Sequence, residues 1–171
     1  MQEVDIKNIK VLIVEDNVHF RTLVRTILQA VGIESLEEAR DGAEALEVLK
    51  TYQADLAIID WKMDGVDGIE CVRRLRRDED SPNRFLPIVM VTGYTEESLV
   101  KEAMDAGAHD FLGKPISAKS LSSRILSVLE EKRIFVKTDD FFGPDRRRHD
   151  KKIQGEDRRK EQCNLVDPNS G

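Results

Sequence analysis

The sequence predicts an α/β fold in which a parallel sheet is covered by helices on both faces. Two observations predict it. Short apolar runs rich in β-branched residues recur along the chain, and stretches with apolar residues every three or four positions lie between them. Strand and helix alternate five times in this way, and such alternation with buried strands implies parallel βα units.

The first strand is residues 10–14 (KVLIV), too short for a helix and apolar enough to be buried on both faces. A helix follows, with Phe20, Leu23, Val24, Ile27, Leu28 and Val31 at helical spacing and Asn17 at the position of an N-cap. Residues 33–38 are less apolar and are expected as an edge strand, and Ala43, Leu46 and Leu49 mark a second helix opened by Asp41. Residues 56–59, led in by Ala54, form the third strand, and Ile69, Val72 and Leu75 the third helix. Residues 88–91 are the fourth strand, followed by a helix marked by Leu99, Ala103 and Ala106. A weaker strand at 110–112 precedes the fifth helix, which carries Leu121, Ile125, Val128 and Leu129 and is capped near Ser117.

In such sheets, sites form at the carboxyl ends of the strands. The first strand ends in Glu15 and Asp16, the third in Asp60, the fourth in Thr92, and the fifth is followed by Lys114-Pro115. Three carboxylates at one edge repel one another by about 1 to 4 kcal/mol per pair at about 4 Å, depending on local dielectric. A cation relieves this, and Mg²⁺ suits a partly open site of carboxylates, with the Lys62 backbone carbonyl as a further ligand. Phosphoryl transfer asks mainly for positioning and charge stabilisation. Asp60 is the natural nucleophile, with Lys114, the Thr92 hydroxyl and the metal each facing one phosphoryl oxygen. Gly93 presents no side chain to obstruct that group.

From about residue 7 to 132 the chain resembles the receiver domain of two-component response regulators, of the chemotaxis-type single-domain kind. The matching residues are Glu15-Asp16, the loop Asp60-Trp61-Lys62-Met63 closed by Asp67-Gly68, Thr92 after an apolar strand, and Lys114-Pro115 after Phe111. The resemblance implies a flavodoxin-like sheet of order 2-1-3-4-5 and Mg²⁺ dependence. It also implies phosphoryl uptake on Asp60 from a histidine kinase or histidine phosphotransfer protein, followed by slow self-catalysed hydrolysis rather than a separate enzymatic activity. A switch is implied as well: Thr92 moves toward the phosphoryl group and Phe111 turns inward, reshaping the face of the fourth helix, fifth strand and fifth helix for a downstream protein.

Some positions depart from the family pattern. Phe111 stands where many members carry Tyr, which removes one possible hydrogen bond. Asp64 replaces the usual Pro, loosening the loop and adding a carboxylate near the metal, so altered metal affinity is expected. Lys62 and Tyr94 occupy positions that, in the family, modulate how water reaches the phosphoryl group.

Other readings weigh less. A dehalogenase-type phosphatase needs a second Asp two residues after the nucleophile, where Lys62 stands. His19, His109 and His149 read as solvated histidines rather than as phosphohistidine carriers. Trp61 reads as a half-exposed neighbour of the site. A pseudo-receiver that docks without taking phosphate is the competing hypothesis.

The chain has 171 residues, 40% hydrophobic and 35% charged, with a formal charge of −6, which argues against a general nucleic-acid binder. Cys71 and Cys163 form no metal or disulfide pattern, suiting a reducing compartment. Residues 1–10 are too charged for a signal peptide and no apolar run of about 18 occurs, so a cytoplasmic protein without a membrane partner is expected.

Residues 133–171 form a polar extension containing Gly143-Pro144-Asp145-Arg146-Arg147-Arg148 and an approximate echo, Gly155-Glu156-Asp157-Arg158-Arg159-Lys160. Two readings stand: a solvated, disordered tail, or a docking segment with Phe141 and Phe142 as apolar anchors. The extension is too short for a helix-turn-helix domain, and its charges nearly balance, so DNA binding is not expected.

Overall fold

The computed structural model describes residues 5–93, 97–131, 133–146 and 164–169. After a 3₁₀ turn at Ile6–Asn8 come β1 (Lys10–Val14), α1 (Val18–Ala30), β2 (Ser35–Ala39), α2 (Gly42–Leu49) and β3 (Leu56–Asp60). There follow α3 (Gly68–Arg77), β4 (Ile88–Thr92), α4 (Glu97–Ala106), β5 (Asp110–Gly113) and α5 (Ala118–Glu130). The five strands form one sheet of order β2-β1-β3-β4-β5, with every pairing parallel.

Both faces of the sheet are covered, which is why its three central strands, β1, β3 and β4, read as apolar runs. Leu12, Val14, Ala57, Ile59, Ile88 and Met90 pack into one core layer with residues of α2, α3 and α4. Their alternate neighbours Val11, Ile13, Leu56, Ile58, Val89 and Val91 join a second layer with Val24, Ile27 and Leu28 of α1 and Leu121, Ile125 and Val128 of α5. Leu23, at a helical spacing in the sequence, is exposed instead.

The helix starts follow local chemistry. Side chains of Asn17, Asp41, Asp67 and Ser117 each accept a backbone N–H three residues on, the N-cap arrangement. The edge strand begins at Ser35 rather than at residue 33 because Ile33 is used to close α1. Gly32, at φ +97°, turns the chain, and the Ile33 N–H donates to the Leu28 carbonyl at 3.0 Å.

Beyond α5 the chain does not simply trail into solvent. Residues 133–146 return across the end of the sheet opposite the strand carboxyl ends, giving β6 (Phe135–Lys137) and β7 (Phe142–Pro144). With β8 (Asn164–Val166) they form a small antiparallel sheet of order β7-β6-β8. Phe135 and Phe142 are buried, whereas Phe141 is half-buried. Phe135 packs edge-on to Phe85 at 4.9 Å and lies 5.1 Å from the Arg76 guanidinium, while Arg84 covers Phe142 at 4.8 Å.

Arg76 is fully buried at the end of α3 and donates to the carbonyls of Gly107, Arg84 and Leu86 at 3.0, 2.7 and 2.7 Å. Its burial pulls the guanidinium down to about 9, leaving it charged at neutral pH. His109 beside it is buried rather than solvated, because it precedes β5 beneath the Phe135 ring at 5.6 Å. His149, Cys163 and the Arg-rich echo lie outside the described residues. Cys71 is buried and its thiol is pushed up to about 12 by desolvation, which makes it a poor nucleophile. No helix among the described residues is long and apolar enough to cross a membrane.

Candidate phosphoryl-accepting site

The parallel register brings four strand ends to one edge: Val14 is opposite Ile59, Asp60 opposite Val91, and Thr92 opposite Gly113. Glu15 and Asp16 therefore emerge beside Asp60, and among the described residues these three form the one group able to hold a metal ion, with ligand atoms within 4.8 Å of one another. Glu15 and Asp60 are buried and Asp16 is exposed, so the cluster opens to solvent on one side. An all-oxygen donor set with an open side fits a hard cation such as Mg²⁺.

Lys114 reaches into this cluster from the residue after β5. Its Nζ lies 3.1 Å from Asp60 Oδ1 and 3.5 Å from Glu15 Oε2. The Lys114 N–H donates to the Thr92 carbonyl at 2.8 Å, which ties the two strand ends together, and the Lys114-Pro115 bond is cis.

Burial raises the Asp60 carboxyl above its ordinary value, while the Lys114 ammonium pulls the other way. Burial likewise pushes Glu15 up to about 7, opposed by the Asn17 N–H and reinforced by the Asp60 charge. Two acids held this way gain from a bound cation.

The loop after Asp60 is closed on both sides. Trp61 N–H donates to the Val91 carbonyl at 2.9 Å and Gly68 N–H to the Trp61 carbonyl at 2.9 Å. A Cβ at Gly68 would collide with the Asp60 carbonyl, so only glycine fits there. Trp61 is 8% exposed rather than half-exposed, since its ring joins the core layer of α2, α3 and α4. Lys62 and Asp64 are exposed in this loop. Asp64 N–H donates to Asp16 Oδ2 at 3.3 Å, and its carboxylate is not one of the three in the cluster. Thr92 is buried at the rim, and open space lies within 4 Å of where a Cβ of Gly93 would stand. Phe111 is half-buried against the same core layer as Trp61. Tyr94 lies outside the described residues.

Sequence reasoning placed the acids and the lysine but missed what steadies them. Arg21 donates to the Glu15 carbonyl at 2.8 Å and pairs with Glu38 at 3.2 Å, and Asn17 N–H donates to Glu15 Oε1 at 3.0 Å. Phe20 lies under the Lys114 ammonium, 4.0 Å from ring centroid to Nζ. The available signal was position, because Asn17 caps α1 and Phe20 and Arg21 lie in its first helical residues, directly after Glu15-Asp16.

The family model described as response regulator receiver domain matches residues 11–126. Chemotaxis protein CheY-3 of Vibrio cholerae serotype O1 is 34% identical over 124 residues, covering 72% of this chain and 94% of that protein. Chemotaxis protein CheY of Pseudomonas aeruginosa is 34% identical over 121 residues, covering 71% of this chain and 96% of that protein. Among solved structures, chemotaxis response regulator CheY4 of Vibrio cholerae matches with a TM-score of 0.65 at 34% identity, covering 71% of this chain and 98% of that one. A putative response regulator from Chloroflexus aurantiacus matches with a TM-score of 0.66 at 29% identity, again covering 71% and 98%.

Proposed function

Because the chain belongs to the receiver-domain family of two-component response regulators, we propose that it is a phosphorylation switch whose acceptor is Asp60. The observation that carries this reading is the ammonium of Lys114 held 3.1 Å from Asp60 Oδ1 inside a cluster of three carboxylates. A packed structural turn has no use for that arrangement, whereas an incoming phosphoryl group needs both a nucleophile and a fixed positive charge.

In the proposed step an Asp60 carboxylate oxygen bonds to phosphorus as the phosphorus–nitrogen bond of a phosphohistidine breaks. The leaving imidazole keeps the electron pair and takes a proton from solvent. The donor is a histidine kinase or a histidine phosphotransfer protein. Lys114 meets one phosphoryl oxygen and the Thr92 hydroxyl another, with the space beside Gly93 receiving the group. Glu15, Asp16, Asp60 and the Lys62 carbonyl would hold Mg²⁺, which when bound supplies charge neutralisation at the phosphoryl oxygens. Hydrolysis then replaces the phosphorus–carboxylate bond by one to water oxygen and restores Asp60. Lys62, Tyr94 and Asp64 modulate the site, the first two through how water reaches the acyl phosphate.

The receiver unit is residues 7–132, with 133–171 as an extension. Thr92 and Phe111 report the phosphorylated state to the face of α4, β5 and α5, where a downstream protein binds.

The test follows Trp61 fluorescence and intact mass while Mg²⁺ and then a small phosphodonor are added, in wild type and in Asp60→Asn. Quenching on addition of Mg²⁺ is expected, followed on addition of the donor by a further fluorescence change and a gain of one phosphoryl mass, both of these donor responses being lost in Asp60→Asn. Indifference of the wild type to both additions would sink the switch and leave a docking module.

A further inference from the structure

We propose that Phe20 is a positioning residue for Lys114, holding the ammonium at the acceptor through the negative face of its ring. This rests on the reading of Asp60 as phosphoacceptor and adds a residue that no carboxylate or hydroxyl pattern reveals.

A lysine ammonium is a strongly hydrated point charge on a flexible stem of four carbons, so its position near an acceptor must be fixed by what surrounds it. Among the described residues it has three partners. Asp60 Oδ1 lies at 3.1 Å, Glu15 Oε2 at 3.5 Å, and the Phe20 centroid at 4.0 Å, well inside the distance at which a cation is attracted by an aromatic face. The two acids change during the proposed reaction, because the Asp60 oxygen loses its charge once bonded to phosphorus and Glu15 would be engaged by Mg²⁺. The ring does not change. It therefore keeps the ammonium in place as its carboxylate partner is converted.

The ring itself is firmly set. Phe20 is the third residue of α1, and its N–H donates to the Asn17 side chain at 3.0 Å. Arg21, the next residue, bonds the Glu15 carbonyl at 2.8 Å. One helical start thus orients Glu15, through its backbone, and Lys114, through the ring. Phe20 also packs against the core layer shared by α1 and α5, so its face cannot drift from the ammonium without disturbing that layer.

The test replaces Phe20 in the full chain by Tyr, by Leu, and by mono-, di- and trifluorinated phenylalanine. Fluorination weakens the negative face stepwise with little change in size. The rate constant for acyl-phosphate formation with acetyl phosphate and Mg²⁺ is read by intact mass, and thermal melts report folding. Phe20→Tyr is expected to stay within about twofold of wild type, and Phe20→Leu to slow the reaction roughly two- to tenfold. The logarithm of the rate constant should fall with each added fluorine while the melting temperature stays level. A rate unchanged across the fluorinated series overturns the proposal even if Phe20→Leu is slow, since the ring would then act by packing alone. A wild type that takes no phosphoryl group, in the same assay, overturns the acceptor reading and this inference with it.

Discussion

The charge of Asp60 is governed chiefly by two opposing influences on one carboxyl: burial, which disfavours its charge, and Lys114, which restores it. In Lys114→Gln the restoring charge is gone, so the Asp60 carboxyl moves further up and the phosphoryl group loses a cationic partner in the proposed transition state. Acyl-phosphate formation is expected to slow roughly a hundredfold or more, measured as phosphoryl mass against time, with an unchanged far-UV circular dichroism spectrum. Gly68 is constrained differently, by contact rather than charge. Gly68→Ala forces a methyl group against the Asp60 carbonyl, and a cost of about 1–3 kcal/mol in urea denaturation is expected. Because the displaced backbone is that of the proposed acceptor, phosphoryl uptake should fall in parallel. A normal rate in a destabilised Gly68→Ala protein would show that the loop yields on the side away from Asp60.

At the level of elements, the strands and the site they carry were legible because each depends on a short local pattern. A run such as 56–59 is apolar throughout because both of its faces are covered, and the acid at its end is placed by the carboxyl-end rule without knowledge of any other strand. Ile33 was read as strand because periodicity sees only that it is apolar, whereas its N–H closes α1 through the turn at Gly32. β6 and β7 were illegible for another reason. They are three residues long, and the partners that bury Phe135 are Phe85, Arg76 and His109, far away in sequence. Arg76 resembled three other arginines on α3 until the fold placed it beneath that ring. Two of its three carbonyl acceptors, Arg84 and Leu86, lie in the loop before β4 and the third, Gly107, just after α4, so it acts as a polar rivet between these two segments. Arg76→Met keeps much of the volume but strands the Gly107, Arg84 and Leu86 carbonyls. A loss of about 3 kcal/mol or more is expected in urea denaturation; a loss under about 1 kcal/mol would mean that water replaces the guanidinium there.

Across the whole molecule, the two ends of the sheet are divided between chemistry and closure: the acids stand at the carboxyl edge, and residues 133–146 seal the opposite one. The matched relatives are covered at 94 to 98% of their length by only 71 to 72% of this chain, so the receiver fold is complete without such a seal. The seal changes the environment of His109, which is 4% exposed. Its Nδ1 accepts the Ile88 N–H at 3.3 Å and lies 3.4 Å from Arg76 Nη2, and Arg133 donates to its carbonyl at 3.1 Å. Burial, then Arg76, then Arg133 hold the imidazole well below its ordinary value. It stays neutral in the folded protein while the unfolded chain binds a proton below about pH 6.5. The unfolded state therefore holds more protons in acid, and stability from this group is complete above about pH 6.5 and falls as pH drops below it, toward a limit of about 1.4 kcal/mol per pH unit. Glu15 and Asp60, whose values are raised, act in the opposite sense, so the contribution of His109 is isolated by difference. His109→Asn retains an acceptor for the Ile88 N–H without titrating, and its stability relative to wild type should improve between about pH 7 and pH 5. Deleting residues 133–171 removes Phe135 and Arg133, lets water reach the imidazole, and returns it toward its ordinary value. Wild type should exceed the truncated protein by about 3 kcal/mol or more at pH 7 from the buried Phe135 and Phe142 rings. That gap should narrow steadily as the solution is acidified, because only the sealed protein keeps His109 from its proton. A gap that stays constant or widens over the same range would mean that the receiver fold alone shelters the imidazole.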